Sequence, residues 1–598
     1  MKPQTGPRPP TPAPRPLSSG RRPPTTDLQP PATSHRPHLL FGIVSAIVLL
    51  AYLPTLWHDF VWDDNRLVKN NSYLEQTSPT EVFLRGFGYN PELDRNRDIG
   101  FYYRPLTVLS FFLERKEWNL SPAGYHLTNT VLHALATFLV CALLLRIFGS
   151  RAAAATGGLF FGLNPAVNSA VTWIAGRNYL LALVLLLCTA WLMLQDLKAK
   201  PLYASLLSAS LFLALLAHEA AIVFVPLVLL WIAVNPRRFR PAVSWMVGIL
   251  LVFGGYLLLR LAIARIPFPP GVISDTIHQP LLLLNVYGQQ VLHLFVPFAQ
   301  HLYYQAVPPL TVSSVYTALG VLFLLLPMAL VLWLRSGRAV LGAAWLILFL
   351  LPAGSVMLLG PAGRTLYPAV PGVLMLVLAA RDKLPAANRR LRAALLLLWA
   401  GYAVAGGVYT VRRNAVWQNE LTLFRQMVQE TPDASGARLN LGNALQAAKQ
   451  PDEAIEQYRA AIRLSPDYPE PRNKLAYLLL ERNDFIGAAE QLRAVVRLEP
   501  NSAEARNDLA LTLKKAGQLD SAIVEYQASL RIQPGSETTL VNLGNAYLAR
   551  GDYAPAIQLF RDALRRQPNF TAARINLALA FQAAGFQDSA EVVNRGGW

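Results

Sequence analysis

Between residues 38 and 411 the chain is a succession of apolar runs broken by short polar turns, and each run approaches the 17–25 residues a helix needs to cross a bilayer. The runs predict eleven spans, at 38–57, 125–146, 152–171, 178–195, 202–217, 220–235, 242–263, 313–334, 338–358, 366–380 and 393–411. Segment 281–300 is left out of that count. It begins apolar but carries Asn285, Tyr287, Gln289, Gln290 and His293 at helical spacing, which is costly against lipid. A re-entrant or surface helix lining a cavity is expected there. From 432 onward the pattern becomes a repeat with a period of 34 residues.

Basic turns orient the spans. With a cytoplasmic N-terminus, the inner turns hold Arg146/Arg151, Lys198/Lys200, Arg237/Arg238/Arg240, Arg335/Arg338 and Arg381/Lys383/Arg389/Arg390/Arg392, against Asp196 and Asp382 alone. Counting 281–300 as a span would move Arg335 and Arg338 outside. An odd number of spans places 412–598 on the same non-cytoplasmic face as the first outer loop, 58–124.

Composition agrees with a membrane protein carrying a soluble appendage. Of 598 residues 53% are hydrophobic and only 15% charged, where soluble domains carry about 25% charged residues, so a single soluble globular domain is excluded. The net charge of +18 lies wholly in 1–431, because 432–598 balances 19 Lys/Arg against 19 Asp/Glu. Residues 1–37 are basic, Pro-rich and short of large apolar side chains, and are expected to form a disordered cytoplasmic tail. An apolar run follows at once, so topology explains this charge and nucleic acid is not expected as a partner. His38–Trp57 lacks a cleavage pattern and reads as an uncleaved signal-anchor. Cys141 and Cys188 sit inside apolar runs and predict neither a disulfide framework nor a zinc site.

The predicted organisation is therefore all-α: a tail at 1–37, a multispanning domain at 38–411, a connecting helix at 412–431 and a repeat domain at 432–598. In the repeats, prolines recur at 432, 466, 500, 534 and 568, small residues at Ala454, Ala488, Ala522, Ala556 and Ala590, and large ones at Tyr458, Leu492, Tyr526 and Phe560. Leu441/Gly442, Leu475/Ala476, Leu509/Ala510, Leu543/Gly544 and Leu577/Ala578 complete a pattern that resembles the tetratricopeptide repeat, with four full units and a partial fifth. Small residues let paired helices approach, and stacked hairpins bury one continuous core. Asn440, Asn443, Asn473, Asn507, Asn542, Asn545 and Asn576 are the candidates for a groove that holds an acceptor protein or peptide, since an Asn amide can bond both donor and acceptor of an extended backbone. Some of them are alternatively ties between repeats. No polar capping helix is evident before Trp598, so the array is expected to end frayed or truncated.

Chemistry concentrates on the outer face. Asp63 and Asp64 follow the first span inside Asp-Phe-Val-Trp-Asp-Asp, where one of two adjacent carboxylates can have its pKa raised to suit a general base or a metal ligand. Tyr102-Tyr103-Arg104, His126 with Asn129, Asn164, Arg177-Asn178, His218-Glu219 and Gly363-Arg364-Thr365-Leu366-Tyr367 emerge on the same side. Arginines there can clamp a phosphate bidentately.

These segments, in the order Asp-Phe-Val-Trp-Asp-Asp, Tyr-Tyr-Arg-Pro-Leu, Gly-Tyr-His-Leu-Thr-Asn, Asn-Pro-Ala-Val-Asn-Ser, His-Glu, Gly-Arg-Thr-Leu-Tyr-Pro and Trp417-Gln-Asn-Glu-Leu-Thr-Leu-Phe, resemble the transmembrane and tetratricopeptide-repeat-containing family of C-type (GT-C) glycosyltransferases. The resemblance implies inverting transfer of a sugar, mannose in animal relatives, from a polyprenyl-phosphate donor in the membrane lipid to protein hydroxyls. It implies Asp63 and Asp64 as the catalytic acidic pair and Arg364 and Tyr367 as the donor-phosphate site, with Arg104 and Arg177 beside it. His218, Glu219, Tyr103 and His126 are the supporting residues, His218 replacing a Lys. No cofactor is implied with certainty, and a divalent metal stays open. Asn164 and Ser169 replace a His and a Glu of many relatives, which bears on donor, acceptor and activity. The alternatives are a membrane-anchored repeat scaffold without activity and a transferase acting on a glycolipid or polysaccharide. Arg/Ala/Leu-rich composition favours a bacterial inner membrane with periplasmic repeats over the endoplasmic reticulum with lumenal ones.

Overall fold

The computed structural model describes residues 37–87, 89, 102–195, 201–234, 239–263, 280–296, 313–356, 363–385 and 388–595. The basic tail before Pro37, Lys198, Lys200, Arg237, Arg238, Arg265 and Trp598 lie outside them. The described residues are helical throughout, with no strand among them.

The membrane half runs through α1 (Pro37–Tyr52), α2 (Pro105–Trp118), α3 (Pro122–Phe148), α4 (Arg151–Leu163), α5 (Arg177–Met193), α6 (Pro201–Ala217), α7 (Phe224–Val234), α8 (Phe239–Leu257), α9 (Pro280–Phe295), α10 (Ser314–Leu334), α11 (Gly337–Val356), α12 (Val370–Lys383) and α13 (Arg389–Asn414). Among the described residues five stretches are long and apolar enough to cross a membrane: Pro37–Trp57, Pro122–Phe148, Ile174–Met193, Ser314–Leu334 and Arg389–Trp417. Four shorter apolar helices, Leu202–Ala217, Glu219–Ala233, Val247–Ile263 and Gly337–Leu350, accompany them.

Two predicted spans are corrected. The run 152–171 is not one helix: α4 stops at Leu163 because Asn164 turns extended and its Oδ1 accepts from the Ala166 N–H at 2.9 Å, while Pro165 has no N–H to offer. The following stretch, 164–176, is broken into the 3-10 turns Pro165–Val167 and Ile174–Gly176 around the short helix Asn168–Thr172 and is buried along its whole length, the condition under which an interrupted helix is tolerated at membrane depth. The run 366–380 likewise becomes a short turn, Gly363–Leu366, and the 14-residue α12. Segment 281–300 forms α9, which lies against α10 with almost no side chain between the backbones: a Cβ on Gly288 would stand 1.8 Å from the Tyr316 carbonyl oxygen, and one on Gly320 1.9 Å from that of Leu284. Asn285, Gln290 and His293 are buried in protein, and Asn285 donates to the Ser313 carbonyl at 3.1 Å. These three side chains are enclosed by protein.

After α13 a 3-10 turn leads into α14 (Glu420–Glu430). Five helix hairpins follow: α15/α16 (Ser435–Ala447, Pro451–Leu464), α17/α18 (Pro469–Glu481, Phe485–Leu498), α19/α20 (Ala503–Lys515, Leu519–Ile532), α21/α22 (Glu537–Arg550, Tyr553–Arg566) and α23/α24 (Thr571–Ala583, Gln587–Asn594). The last has a shortened second helix. Ala454, Ala488, Ala522 and Ala556 are wholly buried where paired helices cross. Gly442 lies under the Tyr458 ring and Gly544 under the Phe560 ring, each too close for a Cβ. A second periodic device closes each turn: Arg438, Arg472 and Arg506 donate to the carbonyls of Pro432, Pro466 and Pro500 and reach Gln457, Gln491 and Glu525 on the next helix.

Candidate functional site

The acidic pair is separated by its backbone. Trp62 adopts φ +54°, a left-handed conformation that costs a non-glycine residue about 1–3 kcal/mol and persists only where surroundings impose it. Its indole stacks on Trp173 at 5.5 Å and meets Phe424 edge-on at 6.2 Å, and Trp173 in turn stacks with Trp417 at 6.4 Å. The reversal at Trp62 sends the two carboxylates different ways. Asp63 is exposed. Asp64 is wholly buried, with its oxygens accepting from the Ala175 N–H at 2.8 Å and the Val61 N–H at 3.3 Å.

Their chemistry differs accordingly. Burial pushes the Asp64 carboxyl up to about 8, against the pull of the Ala175 and Val61 N–H groups. Asp64 pins the outer loop to the buried segment after α4, and both its oxygens are taken. Asp63, by contrast, accepts from no such pair of backbone groups among the described residues. Asp63 is crowded by protein yet open to solvent, as a side chain in a cleft is; burial raises its carboxyl above the ordinary carboxylate range, and the charges of Arg364 and Arg66 pull it back. A partly desolvated carboxylate facing a guanidinium can take up a proton.

Arg364 is one of the two cations whose charge Asp63 feels. Its guanidinium lies 5.0 Å over the Trp173 ring, and its Nε is buried without a hydrogen-bond partner among the described residues. His218 belongs to the same neighbourhood and feels the Arg364 charge. Its Nδ1 accepts from the Ala220 N–H at 3.0 Å, which places the proton on Nε2, and that nitrogen too has no partner among the described residues.

The other sequence candidates are committed to holding structure. Arg177 is wholly buried, ion-paired with Glu114, and donates to Asn129 Oδ1 and the Tyr125 carbonyl, both at 2.8 Å. With these partners its guanidinium holds α2, α3 and α5 together. Arg104 forms a bidentate pair with Glu219, at 2.8 and 2.5 Å, so each neutralises the other. Tyr367 points inward and shares a 3.0 Å hydrogen bond with His133 Nδ1, whose Nε2 meets the Gly162 carbonyl oxygen; it stands with Phe161 and His133, buried away from solvent. Tyr103 donates to the Phe83 carbonyl at 2.9 Å. His126 is buried edge-to-face with His58 at 5.8 Å. Asn164 and Ser169 are both buried, and Asn164 Nδ2 and Ser169 Oγ have no hydrogen-bond partner among the described residues.

No group of three or more His, Cys, Asp and Glu side chains stands together among the described residues. An apolar crevice of about 320 Å³ between α4, α10, α12 and α13 has Arg381 as its one charged lining residue and contains none of the motif side chains.

In the repeats, Asn443 Oδ1 accepts from the Tyr458 hydroxyl at 2.9 Å and Asn542 Nδ2 donates to Asn507 Oδ1 at 3.2 Å. Those three make ties within the array, the alternative role open to these asparagines. Asn440, Asn473, Asn545 and Asn576 keep side-chain surface for a ligand.

Sequence reasoning missed Glu114 and His133, which the fold alone pairs with Arg177 and Tyr367. It also missed Glu420, whose Oε1 accepts from the Trp62 N–H at 3.2 Å and Asn65 Nδ2 at 2.8 Å. The motif from Trp417 to Phe424 contained that residue, but nothing in its spacing named a partner more than 350 positions earlier.

Family models for the tetratricopeptide repeat match residues 501–569 and 442–481. Curated relatives include the protein O-mannosyl-transferase Tmtc1 of Drosophila melanogaster, 34% identical over 24% of this chain and 17% of its own length. The protein O-mannosyl-transferase tmtc2 of Xenopus laevis is 38% identical over 22% of this chain and 16% of its own. The protein O-mannosyl-transferase F38B6.6 of Caenorhabditis elegans is 25% identical over 72% of this chain and 63% of its own. The matches therefore span less than two thirds of each relative. Among solved structures, a MamA protein is similar at 22% identity over 28% of this chain and 91% of its own, with a TM-score of 0.27. The chain is an integral membrane protein with tetratricopeptide repeats, and it is similar to the TMTC protein O-mannosyl-transferases.

Proposed function

We propose that the chain is a glycosyltransferase that moves a sugar, with mannose the first candidate, from a polyprenyl-phosphate donor to Ser/Thr hydroxyls of proteins on the non-cytoplasmic side. The observation that carries this reading is an exposed carboxylate, Asp63, shortly after the first span, which feels the charge of Arg364, whose guanidinium lies over the Trp173 ring beside Trp62. A polyprenyl-phosphate sugar keeps its chain in the bilayer and its phosphate at the surface, where a cleft at a span's end can reach it. Asp63 takes the proton of the acceptor hydroxyl as that oxygen bonds to the anomeric carbon. The bond from that carbon to the phosphate oxygen breaks, and the departing phosphate carries away the electron pair. Arg364 stabilises the charge that develops there, and stabilisation is worth most at that stage. Displacement in one step inverts the anomeric centre. Asn440, Asn473, Asn545 and Asn576 are the candidates to present the acceptor chain.

The test is transfer of labelled sugar from polyprenyl-phosphate mannose, with glucose in parallel, in membranes containing the chain or Asp63→Asn. Loss of a positioned general base is expected to slow transfer about 10²–10⁴-fold. Because only the ionised Asp63 works and its pKa is raised, the acid limb of the rate profile should fall above the ordinary Asp value of about 3.9. Equal labelling of protein by both forms would exclude Asp63 as the base. Label appearing on lipid instead would move the acceptor to a glycolipid.

A further inference from the structure

The turn that exposes Asp63 is held from the far end of the chain. Trp62 has two handles on its left-handed backbone, its N–H and its indole, and residues of the connecting helix take both. The N–H donates to Glu420 Oε1 at 3.2 Å, and the indole packs between Trp173 and Phe424. The same Glu420 oxygen receives Asn65 Nδ2 at 2.8 Å, and the Asp59 N–H donates to the Gln418 carbonyl at 2.9 Å. Residues 59, 62 and 65 are thus gripped by 418, 420 and 424, with Asp63 and Asp64 between the grips.

Glu420 is itself fixed. It opens α14 behind a capping box in which Asn419 Oδ1 accepts from the Thr422 N–H at 3.0 Å and the Asn419 N–H donates to Thr422 Oγ1 at 3.3 Å. An acidic residue in a first helical turn faces the unpaired N–H groups of the helix end, a favourable place for its charge. Arg413 bridges Glu430 and ties the other end of α14 to α13. Phe60, Val61, Trp173, Trp417, Phe424 and Met427 belong to one hydrophobic core that continues through the repeats as far as Ala546.

We infer that Glu420 is a positioning residue for Asp63: through the Trp62 N–H and the Asn65 amide it maintains the backbone reversal that leaves Asp63 exposed, and it makes the connecting helix that leads into the repeats part of the site. The inference deepens the transferase reading for catalysis, but the geometry it asserts can be measured without any sugar.

The experiment uses the full chain in nanodiscs with Cys188→Ser, the second native thiol, Cys141, being buried. Asp63→Cys then serves as a reporter, and its alkylation by iodoacetamide is followed from pH 6 to 9 with Glu, Gln or Ala at 420. Glu420→Ala is expected to change the rate at least fivefold or to displace its pH profile. Glu420→Gln, which keeps an acceptor oxygen in place, should stay within twofold. If Glu420→Ala does not accumulate folded, Asn65→Asp sets a second carboxylate against Glu420 and is expected to give the same displacement. Unchanged alkylation in Glu420→Ala, or in Asn65→Asp where that variant replaces it, overturns the inference.

A parallel arm keeps Asp63 and measures transfer: kcat should fall more than tenfold in Glu420→Ala with the donor KM within twofold, and Glu420→Gln should recover it. Altered alkylation in a chain that transfers no sugar sinks the transferase reading and leaves the positioning role standing. Normal transfer with unaltered alkylation in Glu420→Ala sinks the positioning role alone.

Discussion

The repeat array and the outer-face site are built from the same helical material by opposite means. In the array every stabilising contact joins residues within one repeat or the next: Arg472 reaches Pro466 and Gln491, and Tyr458 covers Gly442. At the site the partners are far apart in the chain. Asp64 meets Ala175, Arg104 meets Glu219, His133 meets Tyr367, and Trp62 meets Glu420. Damage should therefore stay local and graded in the array. At the site, loss of one buried partner strands the other.

The largest stability effect is expected from Arg177→Met. Removing one member of a buried ion pair costs about 3–5 kcal/mol, and here it also frees Asn129 and the Tyr125 carbonyl. Little folded protein should survive detergent extraction and size-exclusion chromatography; a normal yield would show that the Glu114 pair is dispensable. Next is Gly544→Val, whose Cβ would stand 2.6 Å from the Phe560 ring. Overpacking of this kind costs about 1–3 kcal/mol, and the melting temperature should drop while protease protection of the first two hairpins persists. Loss of protection along the whole array would contradict nearest-neighbour behaviour.

Asp64→Asn tests the buried carboxyl through pH. Asp64 in the fold titrates at about 8 and in the unfolded chain near 3.9. Between those values the folded protein holds a proton that the unfolded chain has released, so its contribution is full at low pH and is lost as pH rises toward 8. Melting temperatures from pH 5 to 8 should decline less steeply in Asp64→Asn than in the parent, and parallel slopes would refute the assignment. The smallest effect is expected from Arg472→Ala, which removes half-exposed hydrogen bonds and a little packing. Under about 1 kcal/mol is expected, read as a shift in denaturation midpoint of the array.

The same contrast explains what could be read beforehand. Period 34 placed each Ala, Tyr and Pro of the repeats correctly, because helix pairing there depends on spacing alone. The Asp63/Asp64 pair and Arg364 were visible as motif residues, but which carboxylate faces the cleft was not, since a single left-handed residue at Trp62 decides it. Arg177 looked equivalent to Arg364 in sequence. The fold gave one of them a buried glutamate and left the other an Nε–H with no hydrogen-bond partner among the described residues. The apolar run at 152–171 exceeded its helix because hydropathy registers burial and cannot tell lipid from protein as the apolar neighbour.

The amino-acid sequence by itself determined the helical class, the apolar and repeat halves, and the identity of the side chains able to do chemistry, all of which follow from local periodicity and residue type. The tertiary structure alone decided which of those side chains remain free. Whether a carboxylate or guanidinium is a reactive group or a rivet depends on what hydrogen-bonds to it, and at this site those partners come from up to 358 residues away.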